Sequence, residues 1–261
     1  MSELNFDLIK SQALAAQDTS ESNLRKQLAY LYRIFHHYGW CDLIVTHLSV
    51  RIPNEDALLI LPFGLAFNEI TPDSLIKVNF DGDMLDSKYG FTINFNGTTV
   101  HRAIYRKYNH VYCILHTHSN YGVAVSNLDQ ELLMLDQIAM LFYNKIGYHN
   151  FDRLFIKDNG QEQLLADMQG KQCMILKNHG LITVGNSIAQ AFWFHYYLEL
   201  TCKNHILTTS SGSKIHFPDE EVVKQTAAKY EYWQTTSDVH GISDSLILFE
   251  AAKRQIGYIF G

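Results

Sequence analysis

Two histidines, His116 and His118, bracket a single threonine directly after the apolar run "VYCIL". If that run forms a strand, successive side chains point to opposite faces, so both imidazoles project from the same face. Imidazole nitrogen is a good ligand for divalent zinc, iron, nickel and cobalt. Because the chain contains 13 histidines, a single H-x-H pair is weak evidence for a metal site. A third ligand is needed to make the pair informative.

A third histidine, His179, lies in the segment "LKNHGLITVG", where a second apolar strand is predicted to end in a glycine turn. This turn could bring a third imidazole nitrogen to the same point. Three protein ligands that leave one position open are the arrangement of a catalytic metal site rather than of a closed structural site. We therefore predict that His116, His118 and His179 bind a divalent metal.

The surrounding sequence predicts the strands and helices that position these histidines. Apolar residues recur at intervals of three or four after Asp18 and Glu21, which form a possible capping box, and this helix should end at Gly39. The runs "LSVRI", "ALLIL", "IKVNF" and "VYCIL" predict strands, and "TTVHRAIYRK" and "LLMLDQIAMLFY" predict helices. Ser187 and Gln190 form a second capping-box pattern, at the head of the longest predicted helix. The order of elements predicts one α/β (α+β mixed) domain over residues 1–261, with a mixed or antiparallel sheet.

Composition narrows the possible partners. The net charge is −6 and no run of lysine or arginine occurs, so neither nucleic acid nor an anionic membrane is an expected partner. The N-terminus does not read as a secretory signal, and no apolar run reaches the roughly 18–20 residues of a membrane-spanning helix. The four scattered cysteines are expected to be reduced. These features predict a soluble, cytoplasmic protein that acts on a small molecule.

The motif order carries a family resemblance. "HTHSNYGVAVS" followed by "LKNHGLITVG" resembles the class II aldolase/adducin family, in which an H-x-H pair and a later N-H-G histidine bind zinc. "GWCDLIVTHLSVRIP", "LILPFGLAFNEITPDSLIKVNFDGD" and "NFNGTTVHRAIYRKYNHVYCILHTHS" are similar to upstream segments of the family. The resemblance covers about residues 20–210 and leaves a helical extension over about 218–261. It implies a three-layer α/β/α fold with a mostly antiparallel central sheet, and zinc as the metal, with iron or manganese as alternatives.

The chain departs from the sugar-phosphate aldolases of that family at the positions that handle the substrate. Gly97 stands where the resemblance places the acid/base glutamate, and His47 stands where it places an asparagine. Phe95 and Asn96 replace serines that help to hold the substrate phosphate. Glycine cannot transfer a proton, whereas a positioned acid or base typically contributes about 10²–10⁴ in rate. The sequence therefore resembles an adducin-like branch, with His101 either the catalytic replacement or a core histidine below the site.

Three functions are consistent with these residues. The first is a divalent-metal-dependent lyase of class II aldolase type, which cleaves or decarboxylates a small oxygenated carbonyl compound other than a standard sugar phosphate. The second is a non-haem iron oxygenase acting on a small 2-oxo or 2-hydroxy acid. The third is a non-catalytic, adducin-like interaction module. If the protein is an enzyme, His47, Gly64 and Asn96 are the candidate substrate-binding residues.

The resemblance also implies a homotetramer with sites between subunits. Enzymes of this family place a C-terminal tyrosine from a neighbouring subunit in the active site, and Tyr230, Tyr232 and Tyr258 are candidates for that role here. Packing of amphipathic helices is the alternative explanation for the same tyrosines.

Overall fold

Strands and helices alternate along much of the chain in the computed structural model, which describes residues 6–151, 158–236, 238–239 and 242–260. The strands are β1 His47–Arg51, β2 Ala57–Ile60, β3 Ile76–Asn79, β4 Met84–Asp86, β5 Cys113–Thr117, β6 Ile146–His149, β7 Cys173–Leu176, β8 Gly180–Gly185, β9 Asp238–Val239 and β10 Ile242–Ser243. The α-helices are α1 Phe6–Ala15, α2 Glu21–Tyr38, α3 Phe95–Lys107, α4 Asn120–Ser126, α5 Asp158–Met168, α6 Ile188–Thr209, α7 Glu220–Thr236 and α8 Asp244–Gln255. Short 3-10 helices lie at Phe67–Glu69 and Ala139–Phe142.

Eight of these strands form one sheet in the order β4-β3-β2-β1-β5-β8-β7-β6. Neighbouring strands are antiparallel, except that β6 and β7 are parallel. The register places His47 of β1 opposite His116 of β5, and Ile182 of β8 on the other side of His116. Because directly opposed residues share a face, the two imidazoles lie side by side. The prediction of a mostly antiparallel, mixed sheet is confirmed.

Helices cover both faces of the sheet, as the resemblance implies. On one face, α6 packs against β5, β7 and β8, and it also contacts α2, α4 and α8. On the other face, α3 packs on β1, and α5 packs on α3 and β6. Thr117 illustrates the alternation along β5, because its hydroxyl lies 3.2 Å from His195 Nε2 of α6 while His116 points to the α3 side. No helix in the described part of the chain is both long and apolar enough to cross a membrane.

A buried tyrosine ties β1 to α2. The hydroxyl of Tyr32 accepts hydrogen bonds from the backbone N–H groups of Leu48 (3.0 Å) and Leu61 (3.1 Å), and it donates to the carbonyl of Leu48. The side chain has no exposed surface, so water cannot replace these bonds. Since Leu48 follows His47 directly, the same hydrogen bonds help to set the position of that histidine in the sheet.

Helix capping follows the sequence pattern at one of two places. Ser187 caps α6 by accepting from the backbone N–H of Gln190 at 3.1 Å, as predicted. At α2 the prediction of Asp18 as the cap is wrong, because Ser20 occupies that position and accepts from Asn23 N. The Asp18 carboxylate instead accepts from the backbone N–H and the hydroxyl of Ser20.

The helix predicted in "LLMLDQIAMLFY" is also wrong, because this segment contains only the 3-10 helix Ala139–Phe142. The backbone N–H of Leu132 donates to Tyr148 Oη, and that of Leu133 donates to His205 Nδ1. Side chains from elsewhere in the fold thus accept hydrogen bonds from the start of this segment, and the residues before Ala139 are not helical.

Replacing Tyr32 by phenylalanine should destabilise the protein, because two backbone donors lose an acceptor in a dry interior. Each buried donor left unsatisfied costs about 1–3 kcal/mol, so for two donors we expect the free energy of unfolding to fall by about 2–6 kcal/mol. Urea denaturation provides the measurement. The matched control is Tyr89→Phe, since Tyr89 is exposed, and its effect should stay within about 0.5 kcal/mol. Equal effects of the two substitutions would show that the Tyr32 hydroxyl does not support β1.

Candidate metal centre

The fold brings the three predicted metal-binding histidines together. His116 lies at the end of β5, His118 follows that strand, and His179 lies in the turn between β7 and β8. Each pair of their ring centroids is 4.8 Å apart. Each ring also contributes one nitrogen atom that lies within 4.8 Å of the corresponding nitrogen atoms of the other two rings. The three rings therefore surround one point, as a shared cation would require.

The turn that carries His179 is held close to β5 by steric and polar contacts. A Cβ atom at Gly180 would lie 2.2 Å from the carbonyl oxygen of Thr117, so no larger residue fits there without moving backbone. The backbone N–H groups of Asn178 and His179 donate to the carbonyl and the hydroxyl of Ser126, at 3.0 and 3.2 Å. Asn178 adopts φ 56°, a left-handed conformation that asparagine tolerates better than most residues. The glycine in the N-H-G motif is therefore a packing requirement.

Hydrogen bonds determine which nitrogen of each strand histidine faces the centre. His116 Nδ1 lies 2.9 Å from the carbonyl oxygen of Leu181, which can only accept, so Nδ1 carries the proton. His118 Nδ1 lies 3.2 Å from the carboxylate of Asp42, which also accepts. When the two rings are neutral, both Nε2 atoms therefore present lone pairs, and these atoms are 3.1 Å apart. A cation between them would replace this repulsion by two coordinate bonds.

The donor set fits a small divalent ion. Zinc–imidazole bonds of about 2.0–2.1 Å at tetrahedral angles place the ligand nitrogens roughly 3.3 Å apart. The observed Nε2–Nε2 separation of 3.1 Å is close to that spacing. The carboxylate of Asp42 and the carbonyl of Leu181 are the types of outer partner that orient metal-binding imidazoles. The three histidines could thus hold a divalent metal.

Burial favours the neutral form of four histidines in this region, His47, His101, His116 and His179. Burial, reinforced by the neighbouring imidazoles, holds the pKa of His116 and of His47 well below the usual range for histidine. Burial, followed by the charges of His118 and His149, lowers the pKa of His179 to about 4. Burial, followed by the charge of His116, lowers that of His101 to about 3. Neutral imidazole is the form that binds a metal, so these rings need not lose a proton near pH 7.

A cavity of about 260 Å³ lies in front of the three histidines. Its described lining combines imidazole, amide and apolar side chains: Val45, His47, Asn94, Asn96, Gly97, Val100, His101, His116, His118, Leu176, His179 and Ile182. A larger cavity of about 400 Å³, lined mainly by α6 and α8, shares no lining residue with it. The cavity at the histidines is therefore the better candidate for chemistry.

The predicted substrate-handling residues separate into two groups. His47, Asn96 and Gly97 line the cavity, whereas Gly64 is not among its described lining residues. His101 has no exposed surface and lies behind His47, with its Nε2 at 2.9 Å from His47 Nδ1. His101 also borders the cavity, but His47, which is 8% exposed, is the more accessible of the two rings.

The C-terminal tyrosines have different surroundings within the chain. The hydroxyl of Tyr258 donates to the Glu250 carboxylate at 2.6 Å and lies 3.0 Å from Gln12 Oε1. Tyr230 packs at the edge of an apolar cluster that includes Phe194 and Leu198. The side chain of Tyr232 lies outside the described residues. In this structure Tyr258 is thus bonded to residues of its own chain.

Sequence reasoning missed Asp42, Ser49 and Tyr105. Asp42 orients His118 from 76 positions away, and no local motif marks it. Ser49 and Tyr105 lie behind His101, with the Ser49 hydroxyl 2.6 Å from His101 Nδ1 and 2.9 Å from the Tyr105 hydroxyl. Alternation along β1 could have placed Ser49 on the same face as His47, because the two residues are two positions apart in the strand.

Comparison with known proteins gives a consistent result. A family model described as the class II aldolase and adducin N-terminal domain matches residues 26–206. A relative from Pseudomonas aeruginosa, provisionally named an aldolase class 2 protein, is 38% identical over 208 residues, which make up 79% of this chain and 80% of the relative. Alpha-adducin from Rattus norvegicus is 35% identical over 209 residues, which are 79% of this chain but 28% of the adducin.

Solved structures show the same fold. An aldolase II superfamily protein from Pseudomonas syringae has a TM-score of 0.82 at 34% identity, with 91% of this chain and 93% of that chain covered. L-fuculose 1-phosphate aldolase from Glaciozyma antarctica PI12 has a TM-score of 0.76 at 27% identity, with 98% of this chain and 96% of that chain covered. The similarity therefore extends over most of both chains.

Metal-free protein should lose stability as the solution is acidified. The unfolded chain binds a proton at each histidine near pH 6.5, whereas folded His179 binds one only near pH 4. Between these values the unfolded state holds more protons than the folded state. Each unit decrease in pH therefore lowers the free energy of unfolding by up to about 1.4 kcal/mol per histidine.

Urea denaturation between about pH 7 and pH 4 measures this slope. His179→Gln should reduce this slope by nearly the amount that corresponds to one bound proton, because the variant lacks one titrating group. His216→Gln, which changes an exposed histidine, serves as the control and should reduce it less. A slope that is the same in the His179 variant and in the unmodified protein would contradict the assignment.

Proposed function

Because the chain belongs to the class II aldolase and adducin family, we propose that it is a divalent-metal-dependent lyase. The proposed reaction is aldol cleavage or decarboxylation of a small oxygenated carbonyl compound. The observation that carries this proposal is the convergence of His116, His118 and His179 on one point, with two lone pairs 3.1 Å apart, beside an accessible cavity. An adducin-like scaffold without metal chemistry has no need for this arrangement.

The chain's own residues would divide the work as follows. His116, His118 and His179 would hold the ion, and when bound the ion supplies Lewis-acid polarisation of a carbonyl oxygen. The Asp42 carboxylate and the Leu181 carbonyl keep the Nδ1 proton on the two strand histidines, so that each Nε2 stays available. The apolar side chains of the cavity limit the water around the reacting atoms.

Nitrogen donors alone favour zinc without excluding iron or manganese. Ferrous iron in the same site would suit the alternative of an oxygenase acting on a 2-oxo or 2-hydroxy acid. We also propose a cytoplasmic homotetramer. The tetramer follows from the family resemblance, and the cytoplasm is consistent with four free cysteines.

A non-catalytic interaction module is the second candidate function, and the adducin similarity favours it. Alpha-adducin matches 79% of this chain at 35% identity, although the matching segment is 28% of the adducin. In that case the residues at the cavity would serve folding, and a metal at the histidines would be dispensable for the biological role.

The metal content of the purified protein tests the lyase proposal. Anaerobically purified protein should carry about one metal ion per chain, measured by elemental analysis. His116→Ala should lose most of the metal, because only two ligands remain, while His216→Ala, at an exposed site, should retain it.

The same variants separate the candidate reactions. With panels of hydroxy ketones, hydroxy aldehydes and oxo acids, the lyase should release an aldehyde or carbon dioxide without consuming oxygen. His116→Ala should lower that rate by at least about 10², and His216→Ala should leave it unchanged. Oxygen uptake by iron-loaded protein would support the oxygenase instead. Full metal loading without turnover of any compound would favour the interaction module.

A further inference from the structure

We propose that His47 and Gly97 together determine the specificity of the metal site, and that they select a substrate whose part beyond the metal carries no charge. Such a substrate is a free hydroxy ketone or hydroxy aldehyde rather than a phosphate ester. This inference rests on the proposed metal-dependent lyase, and it adds the residue that contacts the substrate and the class of substrate.

The ring of His47 fills the space next to Gly97 that a side chain at position 97 would occupy. A Cβ atom at Gly97 would lie 2.5 Å from Cδ2 and 2.6 Å from Nε2 of His47. Carbon atoms in ordinary contact are about 3.5–4.0 Å apart, so even alanine would force the ring to move. A glutamate at position 97 would therefore conflict with His47 as it is placed here. The imidazole of His47 thus occupies the space that a side chain at position 97 would need.

A buried chain of hydrogen bonds orients the His47 ring. His47 Nδ1 lies 2.9 Å from His101 Nε2, and His101 Nδ1 lies 2.6 Å from the hydroxyl of Ser49. The Ser49 hydroxyl lies 2.9 Å from that of Tyr105, which in turn donates to the carbonyl of Ser49 at 3.1 Å. His101, Ser49 and Tyr105 have no exposed surface. Since Nδ1 of His47 is engaged in this way, Nε2 is the ring nitrogen left for a ligand.

The same chain allows His47 Nε2 to act as either partner in a neutral hydrogen bond. If Ser49 donates to His101, then His101 donates to His47 Nδ1, and Nε2–H is a donor. If every hydroxyl and ring in the chain reverses, His47 Nδ1 donates to His101 and Nε2 becomes an acceptor. A substrate carbonyl or hydroxyl can therefore be bound without a change in the charge of the site. His101 thus positions His47 and does not itself reach the substrate.

The described cavity lining offers nothing to neutralise a phosphate. It contains no lysine, arginine, aspartate or glutamate, and its apolar members include Val45, Val100 and Leu176. Burying an anion without a cationic or multiply hydrogen-bonding partner is strongly unfavourable. The two asparagines, Asn94 and Asn96, and His47 can instead hydrogen-bond hydroxyl groups. Polarity without charge is the feature that points to an unphosphorylated substrate.

A pair of chelating ligands tests this selection directly. Glycolohydroxamate binds a divalent ion through two oxygens, and its phosphate ester retains the chelating group but adds a charged end. Calorimetric titration of zinc-loaded protein should give a dissociation constant at least about 10-fold lower for glycolohydroxamate than for its ester, which corresponds to about 1.4 kcal/mol. Equal or tighter binding of the ester would overturn the inference while leaving the lyase proposal intact. Failure of both ligands to bind would overturn the lyase proposal itself, and this inference with it.

Substitutions test the two residues as a pair. Gly97→Ala alone should weaken glycolohydroxamate binding at least about 10-fold, because the added methyl displaces the ring of His47. In a His47→Asn background, where the side chain is smaller, the same alanine should change affinity less than about 3-fold. Multiplicative effects of the two substitutions would refute the shared volume. Circular dichroism and zinc content, measured for each variant, confirm that the comparison is between folded, loaded proteins.

A further pair of variants tests the positioning role of His101. His101→Gln keeps a polar group that can bond His47 Nδ1, whereas His101→Leu does not. The ratio of dissociation constants for the two hydroxamates should be retained in the glutamine variant and should approach one in the leucine variant. The same ratio in both folded variants would show that His101 only fills space.

Discussion

When His116 and His118 are both neutral, their Nε2 lone pairs point at each other across 3.1 Å. This arrangement is unfavourable by itself, and the fold maintains it by using both Nδ1 protons elsewhere, on the Leu181 carbonyl and the Asp42 carboxylate. A buried site of this kind is stabilised when a cation occupies it, because polar groups without partners are costly in a dry interior. The strand alternation, the turn at His179 and the placement of Asp42 all serve this one geometry.

Close approach of backbone segments makes the geometry possible. Gly180 lets the β7–β8 turn pass directly over the end of β5, where a Cβ atom would lie 2.2 Å from the carbonyl oxygen of Thr117. Tyr32 of α2 hydrogen-bonds to Leu48 of β1 and to Leu61, which follows β2, and β1 pairs with β5 on its other edge. On that β1 strand His47 lies 5.0 Å from His116, measured between ring centroids. His47 and His116 lie on middle strands of the sheet, which hold side chains more rigidly than loops do.

Membership in the class II aldolase and adducin family establishes the fold but leaves the chemistry to the residues of the site. The family contains enzymes named as sugar-phosphate aldolases and also adducins, and this chain shares features with both groups. Its three histidines converge in space, and Gly97 stands where the family resemblance places the acid/base glutamate. The packing of His47 against Gly97 offers a physical reason for that difference, since the ring takes the space that a side chain at position 97 would need.

Short-range sequence patterns were sufficient to predict the common face of two histidines, the turn that carries the third, and the family. Alternation in "VYCILHTH" placed His116 and His118 on one face, the N-H-G motif predicted a turn at His179, and the combined motifs identified the family. The local pattern was insufficient in "LLMLDQIAMLFY", where Tyr148 and His205 accept the backbone hydrogen bonds of a segment that reads as a helix.

The residues that complete the site are brought together by contacts between distant elements. Asp42 meets His118 across 76 positions, and His47 meets His101 across 54. Periodicity reports the conformation of neighbouring residues, whereas such contacts depend on how distant strands and helices pack. For the same reason it is the packing of α3 on β1 that joins His101, considered either as the catalytic replacement or as a core histidine, to His47. The absence of a side chain at Gly97 leaves room for the ring of His47 in the cavity, and no spacing in the sequence shows this.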